Sequence, residues 1–313
     1  MASTTLDLRR GAASGRAAFL ARQGANWVFL VPTLIFFVGW QLYPIFRVLW
    51  MSFTDYHFLR NQPAAWVGIR NYANALADPI VLTGLLRAAT FTALFLPGMI
   101  FVPMLLAILV DRVRQPTLAA TYRLILLIPA VIPGPLIFVL WKWLYNFNIG
   151  PIDYFLVQVG VVTPQTAPQW LGDPRLTLPA IALMEVWWGL GYHTMFYLAG
   201  LAAIPRELSE AARVDGANEW RLFWHVTLPR LRPILLVLVV LRFGTAMAVI
   251  DEYLILGGFN RALPTYTWTV YMWDVAFQIG DWFQGYAAAI GWIGAAAMLV
   301  VVGGLFWVFR SRD

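Results

Sequence analysis

Six long apolar segments constrain the fold of this chain more than any other feature of its sequence. Each reaches or exceeds the roughly 20 residues that a helix needs to cross the hydrocarbon core of a bilayer. Hydrophobic residues make up 60% of the chain and charged residues 12%, whereas an ordinary soluble domain has about 25% charged residues. The sequence therefore predicts an all-α integral membrane protein with six transmembrane helices. The predicted spans lie near residues 27–51, 88–110, 122–145, 178–203, 233–257 and 285–309.

The distribution of arginine predicts the orientation of these helices. With the amino terminus in the cytoplasm, fourteen arginines fall in the inner segments 1–26, 111–123, 204–232 and 310–313, and five fall in the outer loops. This bias follows the positive-inside rule. We therefore predict a transmembrane domain over 27–309, with the amino-terminal tail, the 204–232 loop and the carboxyl end in the cytoplasm. The net charge of +6 then reflects membrane topology and does not indicate a nucleic-acid partner.

The sequence lacks the motifs of common ATP-binding, metal and hydrolytic sites. It has no cysteine and a single lysine, Lys142, and it contains no phosphate-binding GxxxxGK loop. Its three histidines, His57, His193 and His225, are far apart and form no HExxH zinc motif. We therefore predict no catalytic residue, no bound cofactor and no metal site in this chain.

The loop between the fourth and fifth spans has a helix-forming pattern of its own. Pro205 suits the first turn of a helix, and Gly216 can end that helix because glycine accepts the left-handed conformation of a helix terminus. Asn218 can then cap a second short helix. We predict that Leu228 and Pro229 turn the chain back toward the membrane. The second helix would expose three aromatic residues together, Trp220, Phe223 and Trp224.

The same loop carries a motif with fixed spacing. Glu210-Ala211-Ala212 is followed by Gly216 and, after nine intervening residues, by Val226-Thr227-Leu228-Pro229. This pattern resembles the EAA loop of ABC-importer permeases. The resemblance implies that the loop receives the force of ATP hydrolysis from a separate ATPase subunit. It assigns this coupling role to Glu210, Ala211, Ala212, Asp215, Gly216, Leu228 and Pro229.

Shorter motifs over most of the chain resemble the carbohydrate-importing, maltose-type branch of that family. The resemblance implies a permease subunit that imports a sugar and does not itself hydrolyse ATP. Two residues depart from the family pattern. Phe259 stands where a proline usually follows the Gly-Gly pair, and Arg242 stands inside the fifth span, which leaves the charge of the substrate open. The matching motifs lie at 67–72, 141–144, 170–174, 251–253 and 285–289.

The resemblance also implies an assembly in the inner cell membrane. Such importers combine two permeases, two ATPase subunits and an extracytoplasmic binding protein. We expect a heterodimer with a second, homologous permease, an ATPase dimer that binds ATP and Mg, and a binding protein that delivers the carbohydrate. Both termini would lie in the cytoplasm, with membrane lipid around the spans.

Polar residues inside the fourth predicted span mark a candidate substrate path. An acid, a tryptophan, a glycine and a tyrosine occur there at i, i+3, i+4 and i+7 and so share one helix face. An ionisable side chain inside a bilayer usually faces a cavity or a partner. The carboxylate and the phenol can bind sugar hydroxyls, the indole can stack on a sugar ring, and the glycine leaves space. The predicted path consists of Glu185, Trp188, Gly189 and Tyr192 on this face, with Thr245 and Asp251 on the next helix.

Three alternatives stay open at this point. Glu185 can pair with Arg242, in which case the face is structural. A secondary transporter driven by an ion gradient could use Glu185, Asp251 and Arg242, although the EAA loop would then have no purpose. A membrane-embedded glycosyl-processing enzyme could use Glu185 and Asp251 as acid and base. Dependence of uptake on an ATPase, or sugar turnover without ATP, separates these alternatives.

Overall fold

The computed structural model describes residues 29–280 and 282–310. The predicted tail 1–26 and residues 311–313 of the predicted carboxyl end lie outside the described residues. The described chain is helical, and its β structure is limited to one isolated bridge between Thr54 and Trp66. The helices are α1 (Phe29–Ser52), α2 (Arg70–Ala77), α3 (Pro79–Asp111), α4 (Pro116–Val131), α5 (Gly134–Leu144), α6 (Pro151–Gln158), α7 (Pro174–Ala202), α8 (Arg206–Val214), α9 (Glu219–Leu222), α10 (Leu228–Met247), α11 (Asp251–Leu256), α12 (Trp268–Phe277) and α13 (Gln284–Arg310).

Three of the described helices are long and apolar enough to cross a membrane, and these are α1, α3 and most of α13. The bent pair of α4 and α5 makes a fourth if it is one span. Helices α7 and α10 have 29 and 20 residues, which correspond to lengths of about 43 and 30 Å. The all-α fold is therefore confirmed, while length and composition identify three or four spans of the six predicted.

The third predicted span, 122–145, is not one continuous helix. It breaks between α4 and α5, whose axes differ in direction by 92°. Ile132 lies at the break with a ψ of 129°, because the ring of the following Pro133 disfavours a helical conformation in the residue before it. The predicted span 122–145 therefore consists of two helices joined at this break.

The fifth predicted span, 233–257, also breaks, between Met247 and Asp251. Side chains from the start of α12 bind the carbonyl groups there. The indole Nε1 of Trp268 donates to the Met247 carbonyl at 2.9 Å, and Thr269 Oγ1 donates to the Val249 carbonyl at 2.6 Å. These bonds satisfy backbone acceptors that a continuing helix would have used, so the helix ends without leaving these two acceptors unpaired.

Helix α3 lies at the centre of the fold and contacts α7, α10 and α12. Its buried Phe91 and Met99 pack in one hydrophobic core with Met184 of α7. Helix α7 also approaches α4 closely at Gly191, where a Cβ atom would overlap the backbone of Leu126. Small residues permit such close approach of helices in membranes. The predicted site residues on α7 are therefore held by tight packing on two sides.

One carboxylate joins three helices near the amino-terminal end of α3. Asp78 caps that helix by accepting a hydrogen bond from the Ile80 amide at 2.8 Å. Its other oxygen accepts hydrogen bonds from the hydroxyls of Tyr271 on α12, at 2.7 Å, and Tyr286 on α13, at 3.0 Å. This end of the bundle is therefore fixed by charge-assisted hydrogen bonds, which are stronger than neutral ones.

Candidate functional site

The predicted coupling loop begins with helix α8 and has the predicted helix end. Pro205 precedes the helix, and Gly216 follows it with a φ of +83°. The Gly216 amide donates to the Arg213 carbonyl at 3.0 Å, and the Ala217 amide donates to the Ala212 carbonyl at 2.9 Å. This pair of bonds is the Schellman arrangement, in which a left-handed glycine satisfies the last carbonyls of a helix. The role predicted for Gly216 as a helix stop is confirmed.

The next helix starts as predicted but continues further. Asn218 caps it, because its Oδ1 accepts from the Arg221 amide at 2.9 Å. No turn occurs at Leu228 and Pro229, so that prediction is wrong: α9 continues through a π-helical turn, Phe223–Thr227, directly into α10. A proline inside a helix clashes with the preceding turn and leaves a carbonyl unpaired. A π turn, in which the Leu228 amide donates to the Phe223 carbonyl, widens the helix just before Pro229.

The coupling loop exposes large apolar side chains on an otherwise polar surface. Val214 is 88% exposed, Trp220 68% and Trp224 46%. Of the predicted coupling residues, four are exposed and three are partly buried. Large apolar side chains exposed together mark surfaces that bind a partner. The exposed coupling residues are Glu210, Ala211, Asp215 and Gly216, and the partly buried ones are Ala212, Leu228 and Pro229.

A cleft of about 470 Å³ lies between this loop and the end of α3. Glu219 joins the elements around it. One carboxylate oxygen accepts from Arg112, next to the end of α3, at 2.6 Å, and the other accepts from Arg213 of α8 at 3.2 Å. No local pattern predicts this bridge, since Arg112 and Glu219 are 107 residues apart. Glu219 therefore links α8 to the residue that follows α3 through two ion pairs.

A second group of polar side chains is buried around α7. Glu185 is 7% exposed, and its Oε1 has no hydrogen-bond partner among the described residues. Glu252 on α11 lies near enough for the two carboxyl groups to interact. A buried polar atom without a partner is costly, so this oxygen is an unsatisfied acceptor in the described part of the chain.

Arg242 contacts a histidine rather than the predicted glutamate. Its Nε donates to Nε2 of His193 at 2.6 Å. The histidine Nδ1 then donates to the Gly189 carbonyl at 2.7 Å, which fixes the tautomer of the ring. No ion pair joins Arg242 to Glu185 in the described part of the chain, although the two charges interact at longer range. The predicted pairing of Glu185 with Arg242 is therefore not present as a direct contact.

The four α7 members of the predicted path lie on one helix in different surroundings. Trp188 donates from Nε1 to the Ile132 carbonyl at 3.2 Å, at the break between α4 and α5. The space beside Gly189 is filled by Met99 and His193, while Tyr192 is 51% exposed.

Thr245 and Asp251 are exposed and do not share a helix, because α10 ends at Met247 and α11 begins at Asp251.

The sequence-based prediction did not include His193 and Glu252 as members of this group. His193 follows Glu185 by eight residues and so lies near the same helix face, a spacing that could have identified it. The described residues contain no group of three or more metal-ligating side chains that could hold a metal ion.

The chain matches the model of one protein family over residues 75–311, the binding-protein-dependent transport system inner membrane component. The chain belongs to this family. A probable ABC transporter permease of Pyrococcus horikoshii is 30% identical to this permease, over 91% of the permease and 96% of the relative. A trehalose/maltose transport system permease of Thermococcus litoralis is 29% identical, over 85% and 87% of the two chains.

The fold of this permease also matches a solved structure. A bacterial ABC transporter involved in the import of the acidic polysaccharide alginate contains a chain that aligns with a TM-score of 0.81 and 24% identity. The alignment covers 95% of this permease and 98% of that chain. The likeness confirms the ABC-importer permease fold, and the family confirms that this chain is a transport component rather than an enzyme.

Proposed function

We propose that this permease is one of two different membrane subunits of an ATP-driven importer, and that a binding protein delivers a carbohydrate to it. The geometry of α8 supports this proposal most directly. This helix is exposed, is ended by a left-handed glycine and is bridged through Glu219 to α3. Such a helix can enter a groove on an ATPase subunit and transmit its movement to the membrane domain. Glu210, which is exposed and lines the cleft, would meet a basic residue of the ATPase.

The six-span arrangement is part of the proposal. The bent pair α4 and α5 would form the third span, α7 the fourth, and α10 with α11 the fifth. The lengths of α7 and α10 support this assignment, since about 30 Å of helix covers a bilayer core. The polar side chains on these helices would then face the translocation path rather than lipid.

The buried polar group around α7 would form part of this path. Glu185 and Glu252 offer acceptors, and the exposed phenol of Tyr192 offers a donor and an acceptor, all of which suit sugar hydroxyls. The unpartnered Oε1 of Glu185 supports this role. Trp188 would hold the path in position rather than bind sugar. Its indole Nε1 donates to the Ile132 carbonyl, and its ring contacts Phe138 edge-on. Thr245 and Asp251 would line the wider, exposed part of the path.

Uptake into proteoliposomes tests the function. The permease should import sugar only when it is reconstituted with its second permease, the ATPase dimer and the binding protein, and the chain alone should hydrolyse no ATP. Uptake driven by an ion gradient without the ATPase would instead favour a secondary transporter that uses Glu185, Asp251 and Arg242. Conversion of sugar by the chain without ATP would favour a glycosyl-processing enzyme.

Reporter fusions test the proposed topology. Fusions near residues 116 and 218 should read cytoplasmic, because the arginine-rich segments stay inside. Fusions near 65, 165 and 265 should read extracytoplasmic. A single reversed loop would contradict the six-span arrangement, and an intact coupling loop on the outer side would also contradict the proposed ATPase contact.

A further inference from the structure

A second, wholly apolar groove lies on the opposite side of the α3 end from the coupling cleft. It has a volume of about 230 Å³ and runs between α3 and α4. Leu109 and Ile125 on its walls are 53% and 56% exposed. Its seven lining residues are Leu106, Leu109, Val110, Val113, Tyr122, Ile125 and Leu126.

Two exposed arginines are sequence neighbours of residues that line this groove. Val113 and Tyr122 are the lining residues nearest the connection between the helices, and an exposed arginine follows each of them in sequence, Arg114 and Arg123. Neither arginine forms an ion pair with another described residue, whereas Arg112 is taken up by Glu219. The nearby Asp111 lines the coupling cleft instead. The rim of the groove therefore carries two cations without a neutralising carboxylate.

Tyr122 places this rim at a membrane surface. It is 42% exposed and combines an apolar ring with a polar hydroxyl, and tyrosines of this kind concentrate at the level of lipid headgroups. The groove extends away from the rim to Leu106, and the stretch of α3 from Asp111 to Leu106 is roughly 8 Å long. An acyl chain in the groove would thus run toward the bilayer centre while its headgroup stays beside the arginines.

We propose that this groove is a binding site for an anionic phospholipid. Its phosphate would lie between Arg114 and Arg123, and one acyl chain would lie along Leu109 and Ile125. Arginine suits this contact because its planar guanidinium binds phosphate oxygens through two parallel hydrogen bonds. Basic pockets between transmembrane helices on the cytoplasmic side are known to bind anionic headgroups. The lipid would wedge α3 and α4 apart, next to the end of α3 that Glu219 links to the coupling helix. The inference does not depend on which sugar is transported.

Native mass spectrometry of the detergent-purified full chain tests the site. Dioleoyl-phosphatidylglycerol is titrated against wild type and against the double variant Arg114→Gln/Arg123→Gln, with dioleoyl-phosphatidylcholine as the neutral lipid. Each arginine near a headgroup contributes about fivefold in affinity, so the double variant should bind phosphatidylglycerol roughly 30-fold more weakly. Binding of phosphatidylcholine, which is weaker in wild type, should not change.

Two further variants distinguish the contributions of the headgroup contact, the apolar groove and unspecific charge attraction to lipid binding. Leu109→Trp fills the groove while keeping both arginines, and it should weaken the binding of both lipids. Arg232→Gln removes an exposed arginine at the same predicted membrane face but away from the groove, and it should leave the binding of phosphatidylglycerol unchanged. Equal loss in Arg232→Gln and the double variant would overturn the proposal in favour of unspecific charge attraction. Unchanged lipid binding in Leu109→Trp would also overturn the proposal. If that variant binds lipid normally but fails to assemble with a second permease, the groove is occupied by a protein instead.

Discussion

Replacing Gly216 with valine should lower sugar uptake by the assembled importer about 5- to 100-fold while leaving membrane insertion intact. Gly216 has a φ of +83°, and a β-branched residue in such a conformation costs on the order of 1–3 kcal/mol. No atom lies within 4 Å of the position that a Cβ would occupy, so the cost comes from the backbone and not from a clash. The strain would be relieved by unwinding the end of α8, which misplaces the exposed helix against its ATPase partner. ATPase activity stimulated by the loaded binding protein should fall in parallel.

The matched control for this prediction is Gly216→Asn. Asparagine adopts the left-handed conformation far more readily than valine, and the open space at this position accepts its side chain. Uptake by the asparagine variant should stay close to wild type. If valine and asparagine reduce uptake equally, the left-handed backbone is not what matters, and normal uptake by the valine variant contradicts a coupling role for Gly216.

Replacing Glu185 with glutamine should reduce uptake and change the sugar preference without lowering the melting temperature of the complex. The substitution keeps the shape of the side chain and replaces one carboxyl oxygen by an amide group. A hydrogen bond from a sugar hydroxyl contributes about 0.5–1.5 kcal/mol, so we expect uptake to fall about 2- to 10-fold. Stability should hold because Glu185 makes no direct ion pair with Arg242, which is bound to His193 instead. Uptake of several sugars and thermal melting of the complex are the measurements.

Two companion variants sharpen this result. Tyr192→Phe removes one exposed hydroxyl and should shift the sugar profile with unchanged melting. Trp188→Ala should slow uptake and also lower the melting temperature, because it removes the bond to the Ile132 carbonyl at the break between α4 and α5. Unchanged sugar profiles in all three variants, with melting lowered by Glu185→Gln, would make this face structural packing.

The parts of the fold that sequence predicts are those set by local chemistry. The helix stop at Gly216 and the cap at Asn218 depend on a few neighbouring residues, and both are confirmed. The break before Pro133 is also encoded locally, because the proline ring disfavours a helical conformation at Ile132. Hydrophobicity measures whether a segment can enter a membrane and does not report whether its helix is continuous.

The features that sequence could not predict depend on distant partners. The end of α10 is set by Trp268 and Thr269, which lie about twenty residues further along and bind its carbonyls. The choice of His193 rather than Glu185 as the partner of Arg242 is set by how α7 and α10 face one another. Such contacts follow from the packing of whole helices, for which a single sequence carries no periodic signal.

The hydrogen bonds of Asp78 have a consequence for when the helices join during synthesis of the chain. Its tyrosine partners follow it by 193 and 208 residues. At a synthesis rate of about 5–20 residues per second, Asp78 therefore waits roughly 10–40 s on the ribosome before either phenol emerges. During that time it can cap its own helix but cannot join α3 to the last two helices. The bundle is locked at this end only when translation is almost finished, so a prematurely terminated chain would leave this joint open.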